Sequence, residues 1–334
     1  MLDSLQKNRF VILGRAGMDL YADPPGAETE NASAFSATLG GSSANIAVAI
    51  TRQGGDAALV TAVSDDAVGR FVFNQLAHYN IDATGVRTIT GQNRTSLAVV
   101  ETRRENCQSV IYRNGAADFE ITDNDVAQIN YRDYGALIAT GTCFAAEPSR
   151  SATFKAFEAA RNAGLPIILD LDYRPYSWPS QADAGAICLR AAEMSDVLVG
   201  NDEEFATLAG DVASGRKLAE KLARESGALV VYKMGEMGSV TFEGENAIET
   251  GIFKVEALKP TGSGDAFLGN FISAMATGNS LEESIKRGSA AAAIVVSKVG
   301  CAPAMPDARQ LEEFLNTHEG LNQGKEADNA HTAF

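Results

Sequence analysis

The sequence predicts an α/β fold in which a mostly parallel sheet carries helices on both faces. Three observations lead to this prediction. The chain has 334 residues, enough for one large domain with a substantial core. Short apolar runs that read as strands alternate with amphipathic helical patterns over most of that length. Such alternation is typical of βαβ units, whose strands pair in parallel.

The strand predictions rest on short apolar runs that follow one another along the chain. These runs cover residues 10–14, 58–63, 136–140, 166–171, 197–200 and 228–233. Between them lie helical patterns, as in 153–163, where Phe154, Phe157 and Ala160 recur at helical spacing. In 217–225, Leu218 and Leu222 recur in the same way, and a further helix is predicted over 281–296.

One stretch breaks this alternation. Residues 95–101 and 107–113 are two β-like runs joined by the polar segment 102–106, which is the pattern of a hairpin and not of a βαβ unit. We therefore expect a small sheet outside the main one, acting as a lid or as a dimer surface. No Pro-rich linker or internal repeat divides the chain, so one domain with a small appendage is the economical interpretation.

Composition excludes several classes of partner. Lys and Arg number 28 and Asp and Glu number 43, which leaves a formal charge of −15. An acidic chain repels nucleic-acid backbones and anionic membrane surfaces, so we expect neither as a partner. No apolar run is long enough for a signal peptide or a membrane span, and a cytoplasmic protein is expected.

Cysteine and histidine spacing gives no sign of a metal site or of a Ser-His-Asp hydrolase. No CxxC pair occurs, and four reduced, mostly buried thiols are expected. The cysteines are Cys107, Cys143, Cys188 and Cys301, and the histidines are His78, His318 and His331.

The most informative motif is Gly262-Ser263-Gly264-Asp265, which opens an apolar helical pattern. Glycines before a helix let the backbone approach a ligand, and the amides at a helix N-terminus bind anions. Asp265 then has two interpretations, as a helix-capping charge or as a general base beside a bound anion. The motif is neither a Walker loop nor a dinucleotide fingerprint, because the Gly-Lys-Ser/Thr run and the third Gly are missing.

A second glycine turn, Gly40-Gly41, also leads into a helix and places the amide of Asn45 near its first turn. It is either a tight turn with a polar helix start or a turn that brings Asn45 against a hydroxylated ligand. Asp19 follows the first strand, where ligands of open α/β sheets bind. It is either a solvated loop carboxylate or an acceptor for sugar hydroxyls.

Together with Asn201-Asp202-Glu203-Glu204, these motifs resemble the signatures of the ribokinase-like (PfkB) carbohydrate kinases. The resemblance covers about residues 8–306. It implies a three-layer α/β/α sandwich with a mostly parallel central sheet and a small β lid. It also implies one kinase domain over 8–306, with a lid from about 15–38 and 91–118. A C-terminal helix over 307–319 and a disordered tail over 320–334 would follow.

The resemblance implies a role for each motif in phosphoryl transfer from ATP. Asp265 would take the proton from the sugar hydroxyl, and the backbone of Gly262, Ser263 and Gly264 would form the anion hole. Asn201 and Glu204 would act on Mg²⁺, largely through its water shell. The same pair has a plainer interpretation as an N-cap with its N3 partner, and both can hold at once.

The resemblance also implies a nucleotide site. Lys233, at a strand end, and the turn that contains Gly235 and Gly238 would lie near the ATP phosphates and ribose, and Ser289 would line the adenine pocket. Taken alone, Lys233 is equally a solvated strand end.

Longer stretches, such as GRAGMDLYADP, VIYRNGAADF and ALKPTGSGDAF, resemble the subgroup that phosphorylates 5-dehydro-2-deoxy-D-gluconate at its 6-hydroxyl in myo-inositol catabolism. This substrate carries a carboxylate, for which Arg113, Arg174 and Arg15 are the candidate partners. We favour Arg113, with Arg174 second, because the hairpin that ends at Arg113 would cover the sugar.

Asp19, Gly40, Gly41 and Asn45 would hold the sugar hydroxyls. Many family members have Asp-Thr where this chain has Lys259-Pro260, and in them that Asp helps to bind an activating monovalent cation. The use of a monovalent cation is therefore left open here.

Several alternatives stay open at this point. A 2-keto-3-deoxygluconate kinase and a fructokinase are rivals within the family, and a non-catalytic sugar-binding regulator is a rival of another class. A nicotinamide-dependent dehydrogenase is disfavoured by the absence of an early GxGxxG. The expected partners are a sugar acid and ATP, and the lid serves either a homodimer or a monomer.

Overall fold

The computed structural model describes residues 2–103 and 105–318, and the predicted tail over 320–334 lies outside them. The strands are β1 (Arg9–Leu13), β2 (Gly17–Asp23), β3 (Ala34–Gly40), β4 (Asp56–Ser64), β5 (Asp82–Ile89), β6 (Leu97–Val100), β7 (Ser109–Tyr112), β8 (Ala136–Thr140), β9 (Ile167–Asp170), β10 (Val197–Asn201), β11 (Leu229–Lys233), β12 (Ser239–Glu243) and β13 (Asn246–Thr250).

Helices connect most of these strands. They are α1 (Ser42–Arg52), α2 (Ala67–His78), α3 (Asp123–Ala127), α4 (Ser149–Asn162), α5 (Gln181–Glu193), α6 (Asp202–Ala209), α7 (Gly215–Ser226), α8 (Ser263–Ala276), α9 (Leu281–Val296) and α10 (Ala308–Thr317).

The central sheet has nine strands in the order β13-β12-β11-β10-β9-β8-β1-β4-β5. The pairs from β11 through to β5 are parallel, and only β12 and β13 run antiparallel to their neighbours. All six predicted strands are present in this sheet. Three others, β5, β12 and β13, were not predicted. Both β5 and β13 lie at sheet edges and mix exposed with buried residues, so neither forms a continuous apolar run.

Alternation along each buried strand divides the core into two layers. Phe10 and Ile12 of β1 belong to one cluster, which includes Phe271 of α8. Val11 and Leu13 of the same strand belong to the other, which includes Phe157 of α4 and the buried residues of α5 and α7. Because successive side chains of a strand point to opposite faces, helices cover both faces of the sheet. The predicted three-layer α/β/α sandwich is therefore confirmed.

A second sheet of four strands, in the order β3-β2-β6-β7, lies outside the central sheet. It is the small sheet that the sequence predicts as a lid, a role that stays a prediction, and we call it the lid below. The hairpin expected from the sequence is β6-β7, paired antiparallel with Leu97 opposite Tyr112. Strand β2 pairs antiparallel with β3 and parallel with β6. The Tyr21 hydroxyl of β2 lies 3.1 Å from the Cys301 thiol, so the lid contacts the loop that follows α9.

Among the described residues, no helix is both long and apolar enough to cross a membrane.

Candidate active site

The carboxyl ends of the parallel strands meet at one edge of the central sheet and define the candidate site. Strand β9 ends at Asp170, β10 at Asn201 and β11 at Lys233. Their register places Asp170 beside Val199 and Asn201 beside Lys233. Polar side chains that follow buried apolar runs are thereby brought to a common edge, where ligands of such sheets bind.

The turn that begins α8 lies at this edge. Gly262 has a φ of +85° and precedes the helix without a side-chain cap, so the first amides of α8 have no intrahelical partner. A Cβ on Gly262 would lie 2.6 Å from the Cys301 sulfur, and one on Gly264 would lie 3.1 Å from Lys233 Nζ. Both glycines therefore permit close approaches, and the Lys233 ammonium sits directly beside an open helix N-terminus. Together these groups form a site for an anion.

Asp265 occupies the first turn of α8 beside this anion site. Its Oδ2 accepts a hydrogen bond of 2.8 Å from Asn45 Nδ2, a contact across 220 positions of sequence. Burial, together with the nearby Asp172 carboxylate, raises the pKa of Asp265 to about 7 against the opposing effects of Asn45 and Arg174. A carboxyl group that titrates near neutrality is suited to accept a proton.

The glycine turn before α1 makes room for Asp19. Strand β3 ends at Gly40, where a Cβ would fall 1.8 Å from Asp19 Oδ1. Gly41 has a φ of +98°, and a Cβ there would fall 2.4 Å from the carbonyl oxygen of Arg15. Both glycines are thus required by close packing, and they bring the start of α1, with Asn45, against β2.

Asp19 and Asn45 each keep an acceptor without a partner. Asp19 is buried, and burial raises the pKa of its carboxyl group against the attraction of Arg15 and Lys259. Within the described residues, neither Asp19 Oδ1 nor Asn45 Oδ1 has a hydrogen-bond partner. Unsatisfied buried acceptors are costly, so two of them at one site are a feature that a hydroxylated ligand would explain.

Asp172 and Arg174 form an ion pair at the same edge. The pair joins Arg174 Nη2 and Asp172 Oδ1 at 2.6 Å, while Ser42 Oγ donates to Asp172 Oδ2 at 2.6 Å. Burial would raise the pKa of Asp172, but Arg174 and the Ser42 hydrogen bond outweigh it and lower the pKa. The Arg174 side chain remains 43% exposed, so it is accessible to a ligand.

Arg113 lies deeper than the sequence suggested. Its Nε donates to Asp118 Oδ2 at 3.0 Å, its Nη2 donates to the Thr142 carbonyl at 3.0 Å, and its guanidinium lies 4.0 Å from the Phe119 ring centroid. Its Nη1 has no hydrogen-bond partner among the described residues. Arg113 also lowers the pKa of Asp172, which places it in the same charge cluster.

Asn201 and Glu204 form a reciprocal capping box at the start of α6. Asn201 Oδ1 accepts from the Glu204 amide at 2.9 Å, and Glu204 Oε2 accepts from the Asn201 amide at 2.7 Å. The other Glu204 oxygen accepts from the Tyr173 amide at 3.2 Å. Burial raises the pKa of Glu204, and Lys233 opposes this shift. Since these oxygens already accept backbone amides, they suit contact with the water shell of a cation more than direct ligation.

The remaining predicted residues lie around this edge. Gly235 and Gly238 have φ values of +56° and +88° in the turn between β11 and β12, and a Cβ on Gly238 would fall 2.0 Å from the Thr250 carbonyl oxygen. Ser263 Oγ donates to the Pro260 carbonyl at 3.0 Å. Ser289 is half-buried, two turns before the end of α9. Its place in a nucleotide pocket stays a prediction.

Four residues at the site were given no role from the sequence: Ser42, Asp170, Asp172 and Lys259. Asp170 is buried, which raises the pKa of its carboxyl group well above the usual range, and Glu204 and Asp172 raise it further against Lys233. The signal that could have found the two aspartates is the Asp-x-Asp run at the end of a fully buried strand.

Comparison with known proteins gives a consistent result. A sequence model described as pfkB family carbohydrate kinase matches residues 7–308. The chain is 39% identical over 324 residues to a 5-dehydro-2-deoxygluconokinase of Photobacterium profundum, and the match covers 95% of this chain and 98% of that protein. A protein of the same name from Geobacillus thermodenitrificans is 35% identical over 312 residues, covering 92% of each chain.

Solved structures share the fold. A fructokinase from Xylella fastidiosa with bound ATP superposes with a TM-score of 0.82 at 22% identity, over 93% of this chain and 98% of that one. A fructokinase double mutant from Vibrio cholerae O395, in a form that binds fructose, ADP and potassium ion, gives a TM-score of 0.80 at 24% identity. That match covers 92% of this chain and 98% of the other.

Proposed function

The chain belongs to the pfkB family of carbohydrate kinases, and from this premise we propose that it transfers the γ-phosphoryl group of ATP to the 6-hydroxyl of 5-dehydro-2-deoxy-D-gluconate. The observation that carries the proposal is the Asp265 carboxyl group, whose pKa of about 7 suits a general base, beside the open amides of α8. The names of the relatives supply the choice of sugar.

Asp265 accepts the proton of the 6-hydroxyl as that oxygen attacks the γ-phosphorus. The attacking oxygen and the leaving oxygen of ADP lie roughly in line, and negative charge spreads over the transferring phosphoryl group. The backbone amides of Gly262, Ser263 and Gly264 donate to that charge. Fixed donors of this kind typically contribute about 3–4 kcal/mol each to transition-state stabilisation.

The nucleotide lies against the turn that begins α8, on the side of Lys233. Lys233 pairs with the ATP phosphates, a role supported by the closeness of its ammonium to Gly264. The turn of Gly235 and Gly238 holds the ribose and Ser289 lines the adenine pocket.

The residues at the start of α6 fit a hydrated Mg²⁺ ion. In residues 2–103 and 105–318, no group of three His, Cys, Asp or Glu side chains is arranged to hold a metal ion directly. Asn201 and Glu204 would instead hold the water shell of the ion. When bound, Mg²⁺ neutralises phosphate charge.

The sugar acid lies between the lid and the edge of the sheet. Asp19 and Asn45 hold its hydroxyl groups with their unpartnered oxygens, in the space that Gly40 and Gly41 leave open. The carboxylate of the sugar pairs with Arg174, whose side chain is partly exposed. Arg113, through its unpartnered Nη1, and Arg15 add to the positive charge around it.

The cellular setting follows from the proposed substrate. The enzyme would act in the cytoplasm, in myo-inositol catabolism, with ATP and the sugar acid as partners.

A homodimer would form through the lid. Strand β7 is an edge strand whose Val110 and Tyr112 are 48% and 61% exposed. Light scattering after size exclusion should give twice the monomer mass, and a monomer mass at micromolar concentration would contradict the dimer.

The direct test of the function is ADP release measured with a panel of sugars. We expect turnover of 5-dehydro-2-deoxy-D-gluconate to exceed that of 2-keto-3-deoxygluconate and fructose by at least 10-fold in kcat/KM, a difference of about 1.4 kcal/mol. Strong turnover of fructose with none of the keto-deoxy acid would make the enzyme a fructokinase. Absence of any turnover, with sugar binding retained, would indicate a non-catalytic regulator.

A further inference from the structure

Lys259 is one of the largest fully buried side chains of the protein, with 1% of its surface exposed. Burial lowers the pKa of this ammonium, and nearby groups, Cys301 and Asp265 among them, oppose the shift. In residues 2–103 and 105–318, no carboxylate oxygen lies within 4.0 Å of its nitrogen. A buried charge without an ion-pair partner is costly and needs other compensation.

That compensation comes from backbone carbonyl groups. Lys259 Nζ donates to the Thr261 carbonyl oxygen at 2.6 Å and to the Val295 carbonyl oxygen at 3.3 Å. Val295 is the residue before the last of α9, and its carbonyl oxygen also accepts from the backbone amides of Ser297 and Lys298. At this end of the helix the helix dipole favours a positive charge. The ammonium therefore joins the C-terminal end of α9 to the turn that begins α8.

Thr261 and Gly262 share one peptide unit, and this gives Lys259 a means of acting on the anion site. In a planar trans peptide, the carbonyl and the N–H point in opposite directions. Because Lys259 holds the Thr261 carbonyl oxygen on its own side, the Gly262 N–H is directed to the other side. A Cβ on Gly262 would lie 3.4 Å from Val295 Cγ1, so the turn packs directly on the end of α9.

We propose that Lys259 is a positioning residue, a cation built into the chain that orients the Thr261–Gly262 peptide so that the Gly262 amide faces the transferring phosphoryl group. This inference rests on the proposed kinase function and adds to it. Lys259 itself is buried and does not touch the substrates. Because the positive charge is supplied by a side chain, turnover does not require a small cation from solution at this place.

The test compares Lys259→Ala, Lys259→Met and the control Lys254→Ala, whose lysine is exposed in the same loop. Activity is measured in choline chloride, which is too large to enter the space vacated by the side chain, and then with added NH₄⁺ or K⁺. The wild type and Lys254→Ala should be insensitive to these ions. Lys259→Ala should lose roughly 100-fold in kcat in choline, since misplacing a catalytic donor by about 1 Å has an effect of that size.

Recovery by ions distinguishes positioning from general stabilisation. NH₄⁺ or K⁺ should restore kcat of Lys259→Ala at least 10-fold. Neither ion should restore Lys259→Met, because the apolar side chain fills the space. The melting temperature of Lys259→Ala should rise with NH₄⁺, whereas that of the wild type should not change. Full activity of Lys259→Ala in choline, or lost activity without recovery in a folded variant, would overturn the proposal.

Two further measurements keep the outcome decisive. If the variants do not fold, the wild type alone is informative. Several-fold activation of the wild type by K⁺ over choline would overturn the proposal that Lys259 supplies the cation. Equal activity in K⁺ and choline would support it. If no sugar is phosphorylated, the affinity for a non-hydrolysable ATP analogue replaces kcat. Weaker binding to Lys259→Ala in choline, restored by NH₄⁺, would support the role of Lys259 even where the proposed substrate is wrong.

Discussion

Replacing Asp265 with Asn tests the proposed base through activity and stability together. The substitution keeps the shape of the side chain and its hydrogen bond with Asn45, and removes only the ability to take a proton. General-base catalysis typically contributes 10²–10⁴-fold, so we expect kcat to fall by at least 100-fold. The same substitution should make the folded protein more stable at alkaline pH.

The magnitude follows from the raised pKa. Asp265 ionises at 3.8 in the unfolded chain and at about 7 in the folded protein. The folded state therefore binds this proton more tightly, which contributes stability below pH 3.8 that is lost as the pH rises through 7. A displacement from 3.8 to about 7 corresponds to about 4 kcal/mol. Since Asp265 as a whole is half-buried, solvent screening makes this an upper bound.

An uncharged Asn avoids that cost, so Asp265→Asn should be more stable than the wild type at pH 8 by about 1–3 kcal/mol, or roughly 2–6 °C in melting temperature. At pH 5 the gain should fall to less than half. Thermal melts at both pH values measure this, with ADP release as the activity assay. Glu193→Gln, at the exposed end of α5, controls for the loss of one negative charge. Equal stability of the two variants at pH 8, or near-wild-type kcat in Asp265→Asn, would refute the reasoning.

Three more substitutions separate the parts of the site. Asn45→Ala removes a hydrogen bond worth about 1.5–3 kcal/mol to the Asp265 carboxylate. The acid limb of the pH profile of kcat/KM should therefore move up by about 1–2 pH units, and an unmoved limb would contradict the contact between Asn45 and the base. Gly264→Ala should displace the Lys233 ammonium and raise KM for ATP several-fold with little change in melting temperature, and unchanged nucleotide kinetics would exclude Lys233 from the phosphate site. Arg174→Met should raise KM for the sugar acid roughly 30-fold, because a charged hydrogen bond is lost, but should leave KM for fructose unchanged. An equal effect on both sugars would contradict a contact between Arg174 and the sugar carboxylate.

The parts of the fold that could be predicted are those where burial is continuous. Strands β8, β9 and β10 are buried along nearly their whole length, so each appears in the sequence as an apolar run. Strand β5 alternates irregularly between exposed and buried residues at the sheet edge, and β13 is mostly exposed. Such strands are defined by their partners, which a local pattern does not contain.

The site divides in the same way. The glycine turns at Gly40 and Gly262 could be identified because close backbone approach leaves a residue-type signature. The Asp172 contact with Ser42 spans 130 positions, and Asp172 adopts a φ of +32°. The sequence near Asp172 therefore does not predict its position in the site. The burial of Arg113 could not be predicted either. It depends on the contact with Asp118, a residue that lies after the hairpin and outside its strands.

The net charge of −15 and two anionic substrates are compatible because of how the acids of the site are held. Burial raises the pKa of Asp265 to about 7, so near neutrality this group carries only part of its formal negative charge, and burial raises the pKa of Asp170 as well. Asp172 stays ionised, but its charge is matched by Arg174 at 2.6 Å. The charge of Lys233 then remains in excess beside the amides of α8, while exposed acids farther than about 8 Å are largely screened at physiological salt. The burial that raises the pKa of Asp265 to about 7 thus also reduces the negative charge of the site, and this favours the binding of phosphate.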